Sequence, residues 1–551
     1  MPKAVELLRQ GRNEELWQKC CGFLHLDLGQ FMLIQRRLLL EQIKLLSACP
    51  LGDKIMRGAR PRTVAEFMEQ VPLTTYADYQ PELTERQEDT LPARPAFWVH
   101  TSGRSGEYPC KWVPVSPTYA DELSVLMYGI GTLSCSKGWG DVSRLKEHPK
   151  LVYTVAPRPY MSGAMASILP YQTPVDYLPP MEESEDLTFE ERVKLGFRQA
   201  LTEGIDYFFG LSLVLAAVGD KFSHPTEKIS IRPLLSQPRA LLRLAKGLIK
   251  SKLAGRPLLP KDLWSVRGIM CGGLDSGVYR EKIRELWGRY PLDVYASTEG
   301  SVVATQTWDY DSMTFIPNLN FLEFIPEKEH LKGQLDPDYQ LRTLLLDEVK
   351  AGECYEIVIT NLHGGALCRY RIGDIVRIIS LRNERLGISL PQMVFERRAD
   401  GLLDFVVVRL SEKVLWQAIE NTGVAYEDWT ALKEEGRQAL HLLIELKDGC
   451  RWSKEKVAAA VYHQIMESED DTYSTSPVHD DLSQMVNFRV KVTLLPHGAF
   501  ASYTRQRQAE GADLAHLKPP HINPSGRILA LLQSRPAAVA EAKRRAEVAV
   551  H

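Results

Sequence analysis

The chain has 551 residues, 44% of them hydrophobic and 25% charged; such a length exceeds one core, so a large domain with at least one smaller one is expected. A net charge of −3 leaves no basic footprint for nucleic acid, and nine cysteines without a C-x-x-C pair fit reduced thiols better than a disulfide framework or a zinc site. The N-terminus lacks a signal-peptide core and the longest strongly apolar stretch, near 211–218, is too short to span a bilayer. The expectation is a cytoplasmic protein with no nucleic-acid, membrane or obligate protein partner.

Residues 1 to about 80 carry Ile34, Leu38, Leu39, Ile43 and Leu46 at helical spacing, which predicts a helical lead-in with Trp17, Phe23 and Phe31 in its core. The Val71-Pro72 step ends a helix, and Tyr76 and Tyr79 begin a packed connection. The apolar run Ala96-Phe97-Trp98-Val99 reads as a buried strand. It enters Thr101-Ser102-Gly103-Arg104-Ser105-Gly106-Glu107-Tyr108-Pro109-Cys110-Lys111, after which Trp112 to Val115 are extended again. Glycines let backbone N–H groups approach an anion, the hydroxyls add donors, and Arg104 and Lys111 add charge. The spacing is not that of a Walker loop, and alone it admits either a phosphate loop or a plain hairpin.

Ser116-Pro117 is a helix start, hydroxyl at the cap and proline in the first turn, for a helix over 119–127. Residues 151–155 read as a strand, followed by a loop with Tyr160 and Gly163 that could line a pocket or simply connect. An acidic stretch at 182–191 leads into predicted helices through Phe209. Residues 239–252 set Arg243, Lys246, Lys250 and Lys252 beside Leu241, Leu242, Leu244, Leu248 and Ile249. Between a membrane surface and a solvated basic face with the leucines on the core, the expectation is the second.

From Ile269 the pattern becomes α/β. A strand ending at Gly272-Gly273, a helix around 281–287 and a strand ending in Tyr295-Ala296-Ser297-Thr298-Glu299 would place both termini at neighbouring carboxyl ends, where open α/β sheets bind ligands. Residues 356–360 read as a strand, and 367–376 as two short strands broken at Gly373. Beyond about residue 400 a smaller α+β pattern follows: a helix at 411–420, a strand at 440–446, a helix at 453–466 and an alternating strand at 488–494 whose Arg489, Lys491 and Thr493 face solvent. Residues 506–523 show little regular pattern, with Lys518 between His516 and two prolines, and 536–551 read as an Ala/Lys/Arg helix.

Three segments, the glycine loop with Lys111, Tyr295 to Glu299, and Tyr370-Arg371-Ile372-Gly373-Asp374, stand in an order that resembles the acyl-acid amido synthetases of the plant auxin-responsive Gretchen Hagen family. That family is a branch of the adenylate-forming superfamily. The last two segments are similar to its Y-[AG]-[ST]-[ST]-E and Y-R-x-G-D patterns; the first departs from S-S-G-T-S-x-G at Thr101, Arg104 and Glu107. The lead-in at 67–79 and the junction at 392–415 share the likeness.

The resemblance implies an α/β fold: a large N-terminal adenylate-forming domain over 1–398, its sheets flanked by helices, and a smaller mobile α+β domain over 399–551. It implies an ATP- and Mg²⁺-dependent ligase that turns a carboxylic acid into an acyl adenylate and passes the acyl group to an amine, an amino acid in the family. Thr101, Ser102, Gly103, Arg104, Ser105 and Gly106 would hold the phosphates and Lys111 steady the loop. Tyr295, with Ala296, Ser297 and Thr298, would form the adenine site, Glu299 would hold Mg²⁺, and Asp374 would accept the ribose hydroxyls. Arg398 and Lys518 would join Glu299 as catalytic groups, with Asp400 at the hinge and Lys413 and Lys491 as competing lysines. Tyr160, Phe208, Phe209 and Gly272 would serve equally as acyl pocket or core. A thiol acceptor, coenzyme A, and a non-catalytic adenylate-binding homologue are the competing readings.

Overall fold

The computed structural model describes residues 2–101, 110–155, 157–184, 187, 189–223, 237–272, 276–335, 339–399, 403–404, 409–410, 412–434, 439–467, 488–509, 519–524 and 526–534. The chain divides into two compact units, Met1–Ile372 with Val376–Phe395, and Gly373–Ile375 with Glu396–His551.

The first unit opens on helices Ala4–Arg9, Asn13–Cys21, Leu28–Ser47, Pro50–Ile55 and Val64–Gln70. In Leu28–Ser47 the predicted seam of Leu38, Leu39, Ile43 and Leu46 is buried with Phe31, and the Asp27 carboxylate caps the helix by accepting from Gln30 N at 2.7 Å. β1 (Phe97–His100) and β2 (Trp112–Val115) pair antiparallel, from Phe97 opposite Val115 to His100 opposite Trp112. Ser116 Oγ then accepts from Tyr119 N at 3.1 Å. The helix it starts, Pro117–Cys135, outruns its predicted end because Tyr128, Ile130 and Leu133 prolong the buried face.

An eleven-stranded sheet carries the unit. Its strands are β3 (Lys150–Thr154), β4 (Asp176–Leu178), β5 (Tyr207–Leu211), β6 (Gly268–Gly272), β7 (Leu292–Ser297), β8 (Ser301–Thr305), β9 (Met313–Phe315), β10 (Asn320–Pro326), β11 (Cys354–Asn361), β12 (Tyr370–Ser380) and β13 (Gln392–Arg398), ordered β10-β11-β12-β13-β9-β8-β7-β6-β5-β3-β4. β4, β3, β5, β6 and β7 run parallel; β7, β8, β9 and β13 alternate direction. The switch at β7 is where the Tyr295 to Glu299 segment lies.

Three predicted elements differ. Residues 207–209 belong to a strand, not a helix: the preceding helix Phe189–Glu203 stops at Gly204, which takes φ +93°, and Tyr207, Phe208 and Phe209 are buried between β3 and β6, as an aromatic run in a parallel sheet should be. The break expected at Gly373 is instead a bend inside β12, taken up by φ +78° at that glycine. The helix Pro238–Leu253 sets only part of its apolar residues on the core: Leu244 packs there, whereas Leu242, Leu248 and Ile249 are exposed.

In the second unit, the described residues include a short ribbon of β14 (Leu403–Asp404) and β15 (Arg409–Leu410) and a sheet of β16 (Tyr426–Lys433), β17 (Ala439–Leu446) and β18 (Arg489–Leu494). β16 and β17 are antiparallel and β17 and β18 parallel. Leu415, Ile419, Trp429, Leu440, Leu442, Ile444, Val457 and Val461 pack helices Glu412–Asn421 and Lys454–Glu467 onto this sheet. Residues 520–523 run alongside β16: Ala431 N donates to His521 O at 2.7 Å and Asn523 N to Ala431 O at 2.9 Å. The His521 ring stacks on Trp429 at 4.5 Å, with Nδ1 2.6 Å from Glu412 Oε1 and Nε2 2.8 Å from Asp428 Oδ1. The expected helix at 536–551 lies outside the described residues.

Candidate functional site

The turn from β7 to β8 is held by side chains far away in sequence. Gly300 N donates to Ser297 Oγ at 2.9 Å, and Gly300 O accepts from Tyr119 OH at 3.1 Å and Asn320 Nδ2 at 2.7 Å. Asn361 Nδ2 donates to Glu299 O at 2.9 Å and to Asn320 Oδ1 at 2.8 Å. Ser301 completes the reversal at φ +52°. Four backbone and side-chain anchors therefore fix the peptide of Glu299, whose half-buried side chain lines a small cavity with Val113, Tyr119, Met161, Thr298, Ser301 and Asn361.

The neck of the glycine loop lies close by. Thr101 N donates to Lys111 O at 3.0 Å and Thr101 Oγ1 accepts from Lys111 N at 3.0 Å, closing the loop at its base. His100 sits edge-on between Trp112 and Tyr160, at 4.8 and 4.6 Å. Lys111 Nζ is 3.4 Å from Tyr370 OH and 5.8 Å above the Tyr76 ring, while Tyr76 OH accepts from Trp112 N at 2.7 Å. Burial above all, with smaller contributions that include Glu299, pushes the Tyr76 phenol up to about 12. Lys111 thus stands over a neutral phenol at the neck of the loop, and Glu299 lines a cavity with Val113 of β2. A cation and a carboxylate beside a loop of glycines and hydroxyls are the groups needed to hold a polyphosphate and a hard cation.

The Tyr370-Arg371 strand is docked on the lead-in. Thr74 N donates to Arg369 O, and Arg371 N to Thr74 O, both at 2.9 Å. Arg371 forks onto Glu356 at 2.9 and 2.8 Å, and His330 Nδ1 reaches the same carboxylate at 2.6 Å. Burial alone would raise the Glu356 carboxyl; the His330 and Arg371 hydrogen bonds outweigh it and hold the group below the ordinary carboxylate value. Arg369 pairs with Glu323 at 2.7 Å, both side chains buried. These pairs fix the strand and leave Tyr370 buried with its hydroxyl toward Lys111.

Of the sequence-predicted residues, Thr101, Lys111, Tyr295, Ala296, Ser297, Thr298 and Glu299 belong to the first unit. Tyr295 is buried in its main core, 6.1 Å from Phe395 at an interplanar angle of 33°, while Ala296 is exposed and Ser297 and Thr298 half-buried. Asp374 belongs to the second unit and is buried, in the stretch where Ala399 N donates to Gly373 O at 2.7 Å. The backbone of Arg398 ends β13; its side chain, together with Ser102, Gly103, Arg104, Ser105, Gly106, Asp400 and Lys518, lies outside the described residues. Of the acyl-pocket candidates, Phe208 and Phe209 are buried and Tyr160 and Gly272 half-buried.

Sequence reading gave no site role to Tyr76, placed only in the packed lead-in, to Tyr119, placed only in a helix, or to Asn320 and Asn361. The one signal for the last two is that asparagine is disfavoured in strands, yet both are buried in β10 and β11. Among the described residues no group of three or more His, Cys, Asp or Glu side chains is placed to hold a metal ion. A single carboxylate such as Glu299 still fits Mg²⁺, which keeps several waters and takes its other oxygens from substrate phosphates. No helix among the described residues is long and apolar enough to cross a membrane.

Comparison with known proteins supplies an independent view. Residues 313–398 match the GH3 family central domain. Over 161 residues the chain is 37% identical to a jasmonoyl–L-amino acid synthetase of Nicotiana attenuata, 28% of this chain and 26% of that one. Over 236 residues it is 28% identical to a probable indole-3-acetic acid-amido synthetase of Arabidopsis thaliana, 41% of this chain and 36% of that one. The aligned stretches thus span well under half the length of these curated relatives. In three dimensions the chain is similar to the GH3.15 acyl acid amido synthetase solved with 2,4-DB, with a TM-score of 0.63 at 16% identity over 93% of this chain and 95% of that one. It also resembles a 2-hydroxyisobutyryl-CoA ligase, with a TM-score of 0.57 at 12% identity over 92% and 93%. The mixed α/β architecture expected from the sequence is therefore that of these solved ligases, and residues 313–398 are similar to the GH3 family central domain.

Proposed function

We propose that the protein is an ATP-dependent ligase that joins a small carboxylic acid to an amine, an amino acid, through an acyl adenylate. One observation carries the reading: Lys111 closes the neck of the glycine loop and Glu299 lines a cavity with Val113 of the strand that follows it, in a chain whose relatives are named amido synthetases. A carboxylate is a poor acyl donor because its leaving group would be oxide. Its oxygen attacks the α-phosphorus of ATP, the bond to the bridging oxygen breaks, and pyrophosphate leaves. The amine nitrogen then attacks the acyl carbon, AMP departs with its oxygen, and the nitrogen loses a proton. Most of the work is charge neutralisation and alignment.

In this reading Thr101 to Gly106 hold the phosphates, with Lys111 steadying the loop. Tyr295 to Thr298 form the adenine wall, Asp374 takes the ribose hydroxyls, and Arg398 and Lys518 serve the reacting groups. Glu299 holds Mg²⁺, which when bound neutralises phosphate charge. The large domain spans 1–398 and the small one 399–551. Nine free cysteines, most of them buried, support action in the reducing cytoplasm.

The test is acid-dependent exchange of labelled pyrophosphate into ATP across aromatic, indole-type, aliphatic and hydroxy acids. Exchange is expected with at least one acid and is expected to fall by about a hundredfold or more in Glu299→Gln, on the scale of a lost electrostatic contact to a developing charge. Adding amino acids or coenzyme A then identifies the acceptor by product. ATP binding without exchange for any acid would overturn the proposal.

A further inference from the structure

The helix Pro238–Leu253 packs by its small residues and by Leu244. Ala240, Gly247 and Ser251 are buried, and a Cβ on Gly247 would stand 2.6 Å from Leu263 and 3.1 Å from Leu258, so the helix lies close against Pro260–Leu263. Arg243 also faces inward. Its Nη1 donates to the carbonyls of Ala200 and Leu201, each at 2.6 Å, placing a cation at the negative end of Phe189–Glu203.

The outer face is apolar. Leu242, Leu248, Ile249 and Leu253 are 60, 49, 59 and 85% exposed. Leu242, Ala245, Ile249 and Leu253 succeed one another at helical steps, forming one stripe along the helix. By helical geometry Arg239, Lys246 and Lys250 border that stripe on one side and Lys252 on the other. These four cations are exposed, and residues 237–256 contain no Asp or Glu. No ion pair engages Lys246, Lys250 or Lys252 among the described residues.

A single exposed leucine needs no explanation, but an apolar stripe flanked by exposed cations, three of them in no ion pair among the described residues, does. We propose that this helix docks the protein on the surface of an anionic lipid bilayer, its leucines among the acyl chains and its ammonium groups level with the phosphates. Charge selects this occupant. The chain as a whole carries −3, so an anionic surface would attract it only through a local concentration of cations such as this one. A second copy meeting the same face about a two-fold axis would set cations against cations. The inference goes beyond the ligase reading and stands whether or not that reading holds.

The test sediments the full chain with vesicles of phosphatidylcholine alone and of a two-to-one mixture with phosphatidylserine. Binding is expected to the mixed vesicles alone and to weaken with added salt. Ile249→Glu is expected to abolish it. The double variant Lys246→Gln, Lys250→Gln is expected to weaken it about thirtyfold, from roughly 1 kcal/mol per surface cation. Each variant should melt with the wild type, since both lysines and Ile249 are exposed. No binding to mixed vesicles at low salt, or binding that survives Ile249→Glu, would overturn the proposal. So would concentration-dependent dimerisation abolished by that same variant, which would give the stripe to a second copy.

Discussion

His521 is an imidazole clasped between two carboxylates and stacked on an indole. Burial works against its charge, but the Asp428 and Glu412 hydrogen bonds prevail and raise it to about 9 from an ordinary 6.5. A raised pKa contributes stability that is complete below pH 6.5 and is lost as pH climbs through about 9. The amount is on the order of 3 kcal/mol, shared within the triad. Thermal melts between pH 6 and pH 10 should show the second unit weakening over that window, and His521→Gln should flatten the profile; parallel profiles would contradict the account. Nothing in the sequence marks this residue. Its partners lie 109 and 93 positions away, whereas Lys518, three residues before it, is visible because prolines follow.

Among elements, those set by local chemistry were legible. The Ser116 cap, the strands around the glycine loop, the β6-helix-β7 unit and the alternating strand at 488–494 each follow from a period or a capping residue. Elements set by partners were not. The aromatic run at 207–209 becomes a strand only because β3 and β6 lie on either side, and β16 went unread because its pairing with β17 is what defines it. The helix at 238–253 has the periodicity of a core helix, but small residues at Gly247 and Ser251 decide which face docks.

The same device joins the long helix Pro117–Cys135 to Asn13–Cys21, where a Cβ on Gly129 would run into the carbonyl of Cys20. Gly129→Ala should cost about 1–3 kcal/mol in urea unfolding, the usual penalty for overpacking. Gly138→Ala, in open space, should leave the midpoint unchanged.

On the scale of the whole molecule, two-part architecture was readable from length and the change of texture near residue 400, but strand order was not. An order such as β12-β13-β9 depends on pairings across intervals that no local pattern records. The candidate site shows the same division. Its three motifs stand out as short strings, while Tyr119, Asn320 and Asn361, which hold the Glu299 turn, carry no motif. Residues 396–551 alone lack Gly373, the acceptor of the Ala399 hydrogen bond. A fragment of that span should therefore melt at a lower temperature than the second unit does in the full chain, as calorimetry can compare.

The assignment of Gly373–Ile375 to the second unit, with Val376–Phe395 returning to the first, bears on how such a protein can be recombined. A gene exchange with one junction at residue 396 would transfer the small unit without its tripeptide and leave a foreign one in the strand behind. Chimeras that trade the small unit between homologues are thus expected to need a second, distant junction around residues 373–375 to keep the Ala399–Gly373 hydrogen bond between matched partners.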